Sequence, residues 1–430
     1  MRIAFFEDRR AADFFPLTLL RPVFELVCGE CCLRERLLSQ VPTSGWGAWI
    51  RDYLVEAYQE EHPTARLNDA GWLRQEPTLL INGRWLCNGQ TLQEFDSGSA
   101  GYVGEMLACV LVRPEESPLL EGSDWLAGLE RIAASRQPVS VPGTILVNPW
   151  DLVLHNAQQL REDFEARRPA PLDVTSRPQL GLIGSADSVE IDETSEIEPF
   201  VTIDARRGPV SIAANTVIQS FTRIEGPCHI GAGTQVFRAH IREGTTIGPV
   251  CRVGGEVEAS ILHGYVNKYH EGFVGHSYIC PWVNLGALTT NSDLRNDYGT
   301  VRLPMQGELV DTGARKIGCF IGDHTKTGLG CLINTGSILG TMCMVLPSGS
   351  LLPKCVPSFA MFSGGNLSPG LPLERSFAAA RMMMERRGCE FTAAQQRLLE
   401  QVFDMTAGER EREMARAVAR KERRAFGIAG

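Results

Sequence analysis

The sequence predicts three parts in series: an α/β domain, a parallel β-solenoid built of hexapeptides, and a helical tail. The solenoid rests on two observations. From residue 191 one class of side chain returns every six positions: Ile191, Ile197 and Ile203, then Ile212, Ile218, Ile224, Ile230 and Val236, then Ile241, Ile247 and Val253, and later Ile321, Thr327, Ile333, Leu339, Val345 and Leu351. Four residues after most of these stands a small side chain, among them Ser195, Thr216, Thr222, Cys228, Thr234, Thr245, Cys251, Thr325, Cys331, Ser337 and Cys343. A period of six fits neither the 3.6 of a helix nor the alternation of a hairpin sheet, but it fits a triangular parallel solenoid whose flat faces each take one hexapeptide. The aliphatic residue is expected to fill the corner of the prism and the small one to pack beside it. Each coil buries its edges only against its neighbours, so the stack is continuous and its ends need caps.

The first part, residues 1–175, is α/β. Apolar stretches at Ile3-Ala-Phe-Phe, Thr78-Leu-Leu-Ile-Asn-Gly and Gly143-Thr-Ile-Leu-Val-Asn predict strands, with polar helical segments between them. Arg167-Arg-Pro-Ala-Pro-Leu reads as the linker out of this domain. The solenoid takes residues 182–358, and its period fails in a polar stretch between Asn291 and Lys316. A long excursion from a regular solenoid is usually functional or a subunit contact. The tail, residues 366–430, is helical: Thr392-Ala-Ala-Gln395 and Thr406-Ala-Gly-Glu409 have the form of capping boxes. Leu398, Leu399, Val402 and Phe403 form an apolar stripe expected to dock on the body of the chain, and the mixed charges from Glu409 to Arg424 predict a solvated face.

The 430 residues are enough for two or three domains with real cores, and 43% hydrophobic with 22% charged residues describes an ordinary soluble protein. A net charge of −9 argues against a nucleic-acid surface, which needs a basic footprint. Glu7, Asp8, Arg9 and Arg10 stand where a secretory signal would place its apolar core, and no stretch approaches the roughly 18 apolar residues of a membrane span. The expectation is a cytoplasmic protein with no membrane partner. Thirteen cysteines raise disulfides and metal. Cys319, Cys331, Cys343 and Cys355 recur every twelve residues, so consecutive members fall on different faces and read as small inward residues. Cys28-Gly-Glu-Cys31-Cys32 has no second C-x-x-C to complete a metal site.

The densest cluster of reactive side chains is Ile261-Leu-His-Gly-Tyr-Val-Asn-Lys-Tyr-His-Glu-Gly-Phe-Val-Gly-His-Ser-Tyr-Ile, which breaks the period before Val274, Ile279 and Leu285 restore it. Three readings of His263, His270 and His276 stand side by side. They are zinc ligands converging from adjacent coils, although spacings of seven and six do not supply that directly. One of them is a general base, since imidazole titrates near neutrality. Or they are surface histidines.

The run Asn267-Lys-Tyr-His-Glu-Gly-Phe-Val-Gly-His-Ser-Tyr-Ile, followed by Val283-Asn-Leu-Gly-Ala-Leu-Thr-Thr-Asn-Ser-Asp-Leu-Arg-Asn and Arg315-Lys-Ile-Gly-Cys-Phe-Ile-Gly-Asp-His-Thr-Lys-Thr-Gly, resembles the acetyltransferase half of bifunctional UDP-N-acetylglucosamine diphosphorylase/glucosamine-1-phosphate N-acetyltransferases. Pro16-Leu-Thr-Leu-Leu-Arg-Pro-Val-Phe-Glu-Leu and Pro149-Trp-Asp-Leu resemble their divergent bacterial branch. The resemblance implies a nucleotidyltransferase-like, Rossmann-like first domain, a left-handed parallel β-helix, and a homotrimer with active sites between subunits. It places His270 on the family's catalytic histidine, the base for the sugar amine, and Asn284 on an asparagine of the acetyl-transfer site. Ala287 falls where the family contacts coenzyme A, and Lys268 and Arg252 fall near its sugar-phosphate binders. At Asp293 the family more often has asparagine. Arg302, Arg315 and Lys316 on the excursion are candidates to hold phosphates.

The first domain departs from the family. Standard nucleotidyltransferases open with a glycine-rich loop that brings backbone amides to the nucleotide phosphates. Here that place reads Glu7-Asp-Arg-Arg-Ala-Ala-Asp-Phe-Phe, without a glycine, and the family's metal-binding aspartate is replaced within Leu80-Ile-Asn-Gly-Arg-Trp. Arg21 is the candidate replacement for the phosphate-binding lysine and Asp151 the candidate magnesium ligand, against a surface arginine and a helix-capping aspartate. The expected function is acetyl transfer from acetyl-CoA to an amino-sugar phosphate such as glucosamine 1-phosphate, with uridylyl transfer from UTP if the first domain is active. A nucleotidyltransferase with a structural solenoid and a non-catalytic sugar-nucleotide sensor are the alternatives.

Overall fold

The computed structural model describes residues 2–425, so the last five residues of the tail lie outside the described chain. In the first domain the strand Arg2–Phe6 is buried along its whole length and pairs in parallel with Trp46–Trp49 on one side and Thr78–Asn82 on the other. Met106–Val112 then runs antiparallel to Thr78–Asn82, and Ser99–Val103 and Gln137–Ser140 complete that edge of a seven-stranded mixed sheet. Alternation sends Ala4, Phe6 and Leu80 to one face, under Leu129 and Ile132, and Ile3, Phe5, Leu79 and Ile81 to the other. Both faces are covered, which is why these strands read as unbroken apolar runs.

The strand expected over residues 143–148 shrinks to Thr144–Ile145, paired antiparallel with Trp85–Leu86. Asn148 ends it by capping the long helix Pro149–Arg167. That helix carries the chain to the solenoid and docks on it. Its Asn156 side-chain amide donates to the Gly244 carbonyl (2.8 Å) and to Thr246 Oγ1 (3.0 Å).

The hexapeptide period becomes a stack of parallel rungs. Ile191, Ile212, Ile230, Ile247, Leu262, Ile279, Ile321, Leu339 and Val356 stand in register down one nine-stranded sheet. All but Ile191 are at most 2% exposed. The stack closes where Asn366–Pro369 turns back antiparallel on Ala360–Ser363.

The excursion leaves after the strand Thr290–Asn291 and returns at Cys319–Ile321. It carries a hairpin of Arg302–Met305 and Glu308–Asp311. Val301, Leu303 and Ile317 are fully buried in a core shared with Phe14, Leu17 and Trp150 of the first domain. The excursion therefore fastens the two domains together through its apolar side.

Three helices follow: Leu373–Glu385, Ala393–Met405 and Ala407–Ala425. The Thr392–Gln395 capping box forms with both bonds at 3.2 Å. The second box does not form. The Thr406 hydroxyl turns back to the Val402 carbonyl (2.8 Å) and receives Arg410 Nη1 (2.6 Å), because a single residue joins the two helices and serves the end of the first. Leu398, Leu399 and Val402 dock on the body, in one core with Trp282, Met342 and Phe359 of the solenoid and Ala57 and Tyr58 of the first domain. On the last helix Arg410 and Glu413 turn inward at 8% and 9% exposure, so the charged face is not wholly solvated.

Candidate functional site

Successive coils place Thr202, Arg223, His240, Glu256 and Phe273 in register on one outward face. Acids and bases pair along it. Arg223 binds Glu225 (2.7 Å) and Asp204 (2.7 Å), and Glu258 holds both Arg242 (2.6 Å) and Lys316 (3.1 Å). His270 and His276 stand at either end of the short strand Phe273–Gly275 that closes this face.

His276 is the better-braced of the two. Its Nδ1–H donates to Oδ2 of Asp293 at 2.7 Å, and Asp293 is 9% exposed. Burial alone would raise the Asp293 carboxyl, but the His276 bond and the Lys316 ammonium outweigh it and hold the group below its ordinary value. With Nδ1 committed to the carboxylate, Nε2 keeps its lone pair and is the nitrogen able to accept a proton. Gly275 leaves room for the pair: a Cβ there would lie 2.3 Å from the far edge of the Phe273 ring and 2.9 Å from Asp293 Oδ2, so those side chains would have to shift. The residues sit 17 apart, as do the bonded pair Asn267 and Asn284, which is one shortened coil. That separation was the available sequence signal for the pair.

His270 is exposed, and its ring meets Tyr269 edge-on with centroids 4.9 Å apart. Bonds from Leu285 N to the Asn267 carbonyl and from Leu288 N to the Glu271 carbonyl set Ala287 on the coil beside His270. Asn284 lies one face away, its side chain receiving Asn267 Nδ2 at 2.5 Å, and Arg252 is in register with Asn267. His270, Ala287, Asn284 and Arg252 thus share a corner and the wall next to it. Asp293 and Lys316 belong to the His276 end, and Arg302 and Arg315 project from the excursion as exposed residues.

Several expected roles change. Lys268 does not face a sugar phosphate: it takes an inward position in register with Val253, is 2% exposed, and donates Nζ to the His270 carbonyl at 2.6 Å. Arg21 is not free for phosphate, because its guanidinium grips the Asp323 carboxylate with both nitrogens and also donates to the Leu17 carbonyl (3.0 Å). Asp151 spends Oδ2 on the amides of Val147 (2.8 Å) and Asn148 (2.9 Å), the helix-cap role. Asn82 donates to Asp8 and to the Leu107 carbonyl. Magnesium therefore does not fit the residues proposed for it, and among the described residues no group of three or more His, Cys, Asp or Glu is placed to hold a metal ion. His263 is a packing residue. Its Nε2 meets the Glu25 carbonyl at 2.9 Å, and burial pushes its imidazole down to about 3.

In place of a glycine loop, residues Arg9–Phe14 form a 3-10 turn capped by Asp8. Asp8 pairs with Arg84, Glu7 with Arg51 (3.0 Å) and Arg21 with Asp323. The Cys28–Cys31 motif is a tight antiparallel turn of free thiols, both pushed up to about 12 by burial. No described helix is long and apolar enough to cross a membrane.

The profile of the sugar nucleotidyl transferase family matches residues 3–169. A bifunctional sugar-1-phosphate nucleotidylyltransferase/acetyltransferase of Sulfurisphaera tokodaii is 33% identical over 32% of this chain and 38% of its own length. YaiX of Escherichia coli, named as an uncharacterized acetyltransferase, is 30% identical over 38% of this chain and 70% of its own length. The bifunctional protein GlmU of Methanococcus vannielii is 34% identical over 25% of this chain and 28% of its own. The chain thus spans well under half of the bifunctional relatives.

Proposed function

The chain belongs to the family of the Escherichia coli protein YaiX, and on that premise we propose that its solenoid transfers an acetyl group from acetyl-CoA to the amine of an amino-sugar phosphate such as glucosamine 1-phosphate, a step of UDP-N-acetylglucosamine synthesis in the cytoplasm. The observation that carries this reading is the His276–Asp293 pair on an outward face of the stack. An amine that is protonated at neutral pH cannot attack. The ammonium first releases one proton to water; the neutral nitrogen then attacks the thioester carbon while His276 Nε2 takes its second proton, and the carbonyl oxygen gathers charge that a backbone amide can steady. As the intermediate collapses, the thiolate leaves and takes a proton from the imidazolium.

A specific observation also favours His270 as the base. It shares its corner with Ala287, and four and three coils earlier in the stack the same edge carries Phe200 and Phe221. Those rings are 67% and 72% exposed and stack on each other at 5.7 Å. An exposed aromatic ridge supports self-association as a homotrimer, with the site completed by a neighbouring copy. In the first domain Arg21 and Asp151 are spent on Asp323 and on a helix cap, so uridylyl transfer from UTP, if the domain performs it, uses other residues.

The test is turnover of acetyl-CoA with glucosamine 1-phosphate by the wild type, His276→Gln and His270→Ala, beside UTP with magnesium and N-acetylglucosamine 1-phosphate. Loss of about 10² to 10⁴ in rate marks the base. An inactive wild type in both assays returns the chain to a sugar-nucleotide sensor, and uridylyl transfer alone makes the solenoid structural.

A further inference from the structure

A cavity of about 550 Å³ opens where all three parts of the chain meet. The first domain lines it with the loop 12–19, the excursion with the turn of its hairpin at 304–307, the solenoid with neighbouring coils at Ile338 and Val356, and the tail with the joint between its second and third helices at 405–413. None of the residues considered above for acetyl transfer or for phosphate lines it. Its volume falls within the roughly 300–1,000 Å³ of small-molecule sites.

The lining is graded from dry to wet. Leu19, Ile338 and Val356 are 2%, 8% and 0% exposed, and Ser358 among them spends its oxygen on the Thr341 amide at 3.0 Å. Phe15 and Met305 are half-buried, and Met405 stands at the mouth, 46% exposed. Water in such a space finds few hydrogen-bond partners, so an apolar body gains by displacing it.

The charges around the mouth are lopsided. Three carboxylates line the cavity, those of Asp13, Glu409 and Glu413, against the single guanidinium of Arg412. Asp13 receives Arg10 Nε (3.1 Å) and Gln306 Nε2 (3.2 Å), and Glu413, 9% exposed, receives Arg416 Nη1 (2.5 Å). The Glu409 carboxylate has no hydrogen bond or ion pair among the described residues. It lies one turn before Glu413 on the helix Ala407–Ala425, a spacing at which like charges repel. An anion is disfavoured in this setting. A molecule that ends in an ammonium suits both halves, its body against the buried apolar lining and its charge among the carboxylates.

We propose that this cavity binds a small apolar amine, a hydrocarbon body with one cationic end, which bridges the first domain, the solenoid and the tail. The site does not depend on acetyl transfer.

The experiment is calorimetric titration and thermal unfolding of the full chain with octylamine, 1-octanol and octanoate, three molecules of one length that differ in the charge of the head. Octylamine is expected to bind and to raise the melting temperature, octanol to bind several-fold more weakly, and octanoate least. Glu409→Gln should weaken octylamine by about threefold or more and leave octanol unchanged. Met405→Trp, whose larger ring fills the mouth, should weaken both. A wild type that binds none of the three, or octanoate bound as tightly as octylamine, overturns the proposal. So does octylamine binding that survives Met405→Trp or Glu409→Gln at full strength, since the amine then sits elsewhere on an acidic surface. These titrations are read apart from turnover of acetyl-CoA.

Discussion

Arg21 of the first domain and Asp323 of the solenoid form a bidentate ion pair at the seam between the two domains, with the Asp323 side chain only 2% exposed. Sequence position alone recommended this arginine for phosphate. The structure makes it a fastener. Arg21→Ala is expected to cost roughly 3–5 kcal/mol, because it leaves Asp323 buried without its partner. The double variant Arg21→Met/Asp323→Leu should recover much of that. Urea unfolding of the three proteins checks it, and a harmless Arg21→Ala would refute the pairing.

Asp293→Asn keeps the size of the side chain but removes the charge that orients His276. Acetyl transfer should fall by about tenfold or more, with the KM for acetyl-CoA little changed. An Asp293→Asn variant as active as wild type would leave Asp293 only a packing role.

Lys268 supplies a pH test of burial. In the folded chain desolvation lowers its ammonium to about 8, against roughly 10.4 for an unfolded lysine. Between those values the unfolded chain holds the extra proton, so stability rises with pH through that window and the full penalty is present below about pH 8. Lys268→Met should therefore be more stable than wild type at pH 7, by up to roughly 3 kcal/mol. The advantage should shrink toward pH 10. Urea midpoints at both pH values decide it, and an advantage that grows with pH would contradict the burial.

Asp151→Ala should destabilise by about 1 kcal/mol through loss of the cap on the helix Pro149–Arg167. Magnesium affinity, read by calorimetry, should not change. A clear loss of magnesium binding would restore Asp151 as a metal ligand.

The stack was readable from the sequence because its spacing is its physics: the column from Ile191 to Val356 needs one interior residue per face, and no other periodic structure uses six. The excursion was visible as a failure of that spacing, but its purpose was not. Val301, Leu303 and Ile317 find their partners in Phe14, Leu17 and Trp150, nearly 300 residues back along the chain for the first two. Nothing local encodes such a meeting. Lys268 was misplaced for a related reason. Shortened coils shift which residues point inward, so a lysine falls on a position that the regular spacing would have reserved for an apolar residue.

The turn-back of Asn366–Pro369 on Ala360–Ser363 decides how long a particle of this protein can grow. A last rung left bare would offer its backbone amides and carbonyls to the first rung of another molecule, and copies would add end to end without limit. On this face a strand laid in the reverse direction occupies those groups, and Pro369 at its end brings no amide to offer. The hairpin gives that face of a repeating pattern a stopping point, and its removal should promote end-to-end association, read by light scattering against the wild type.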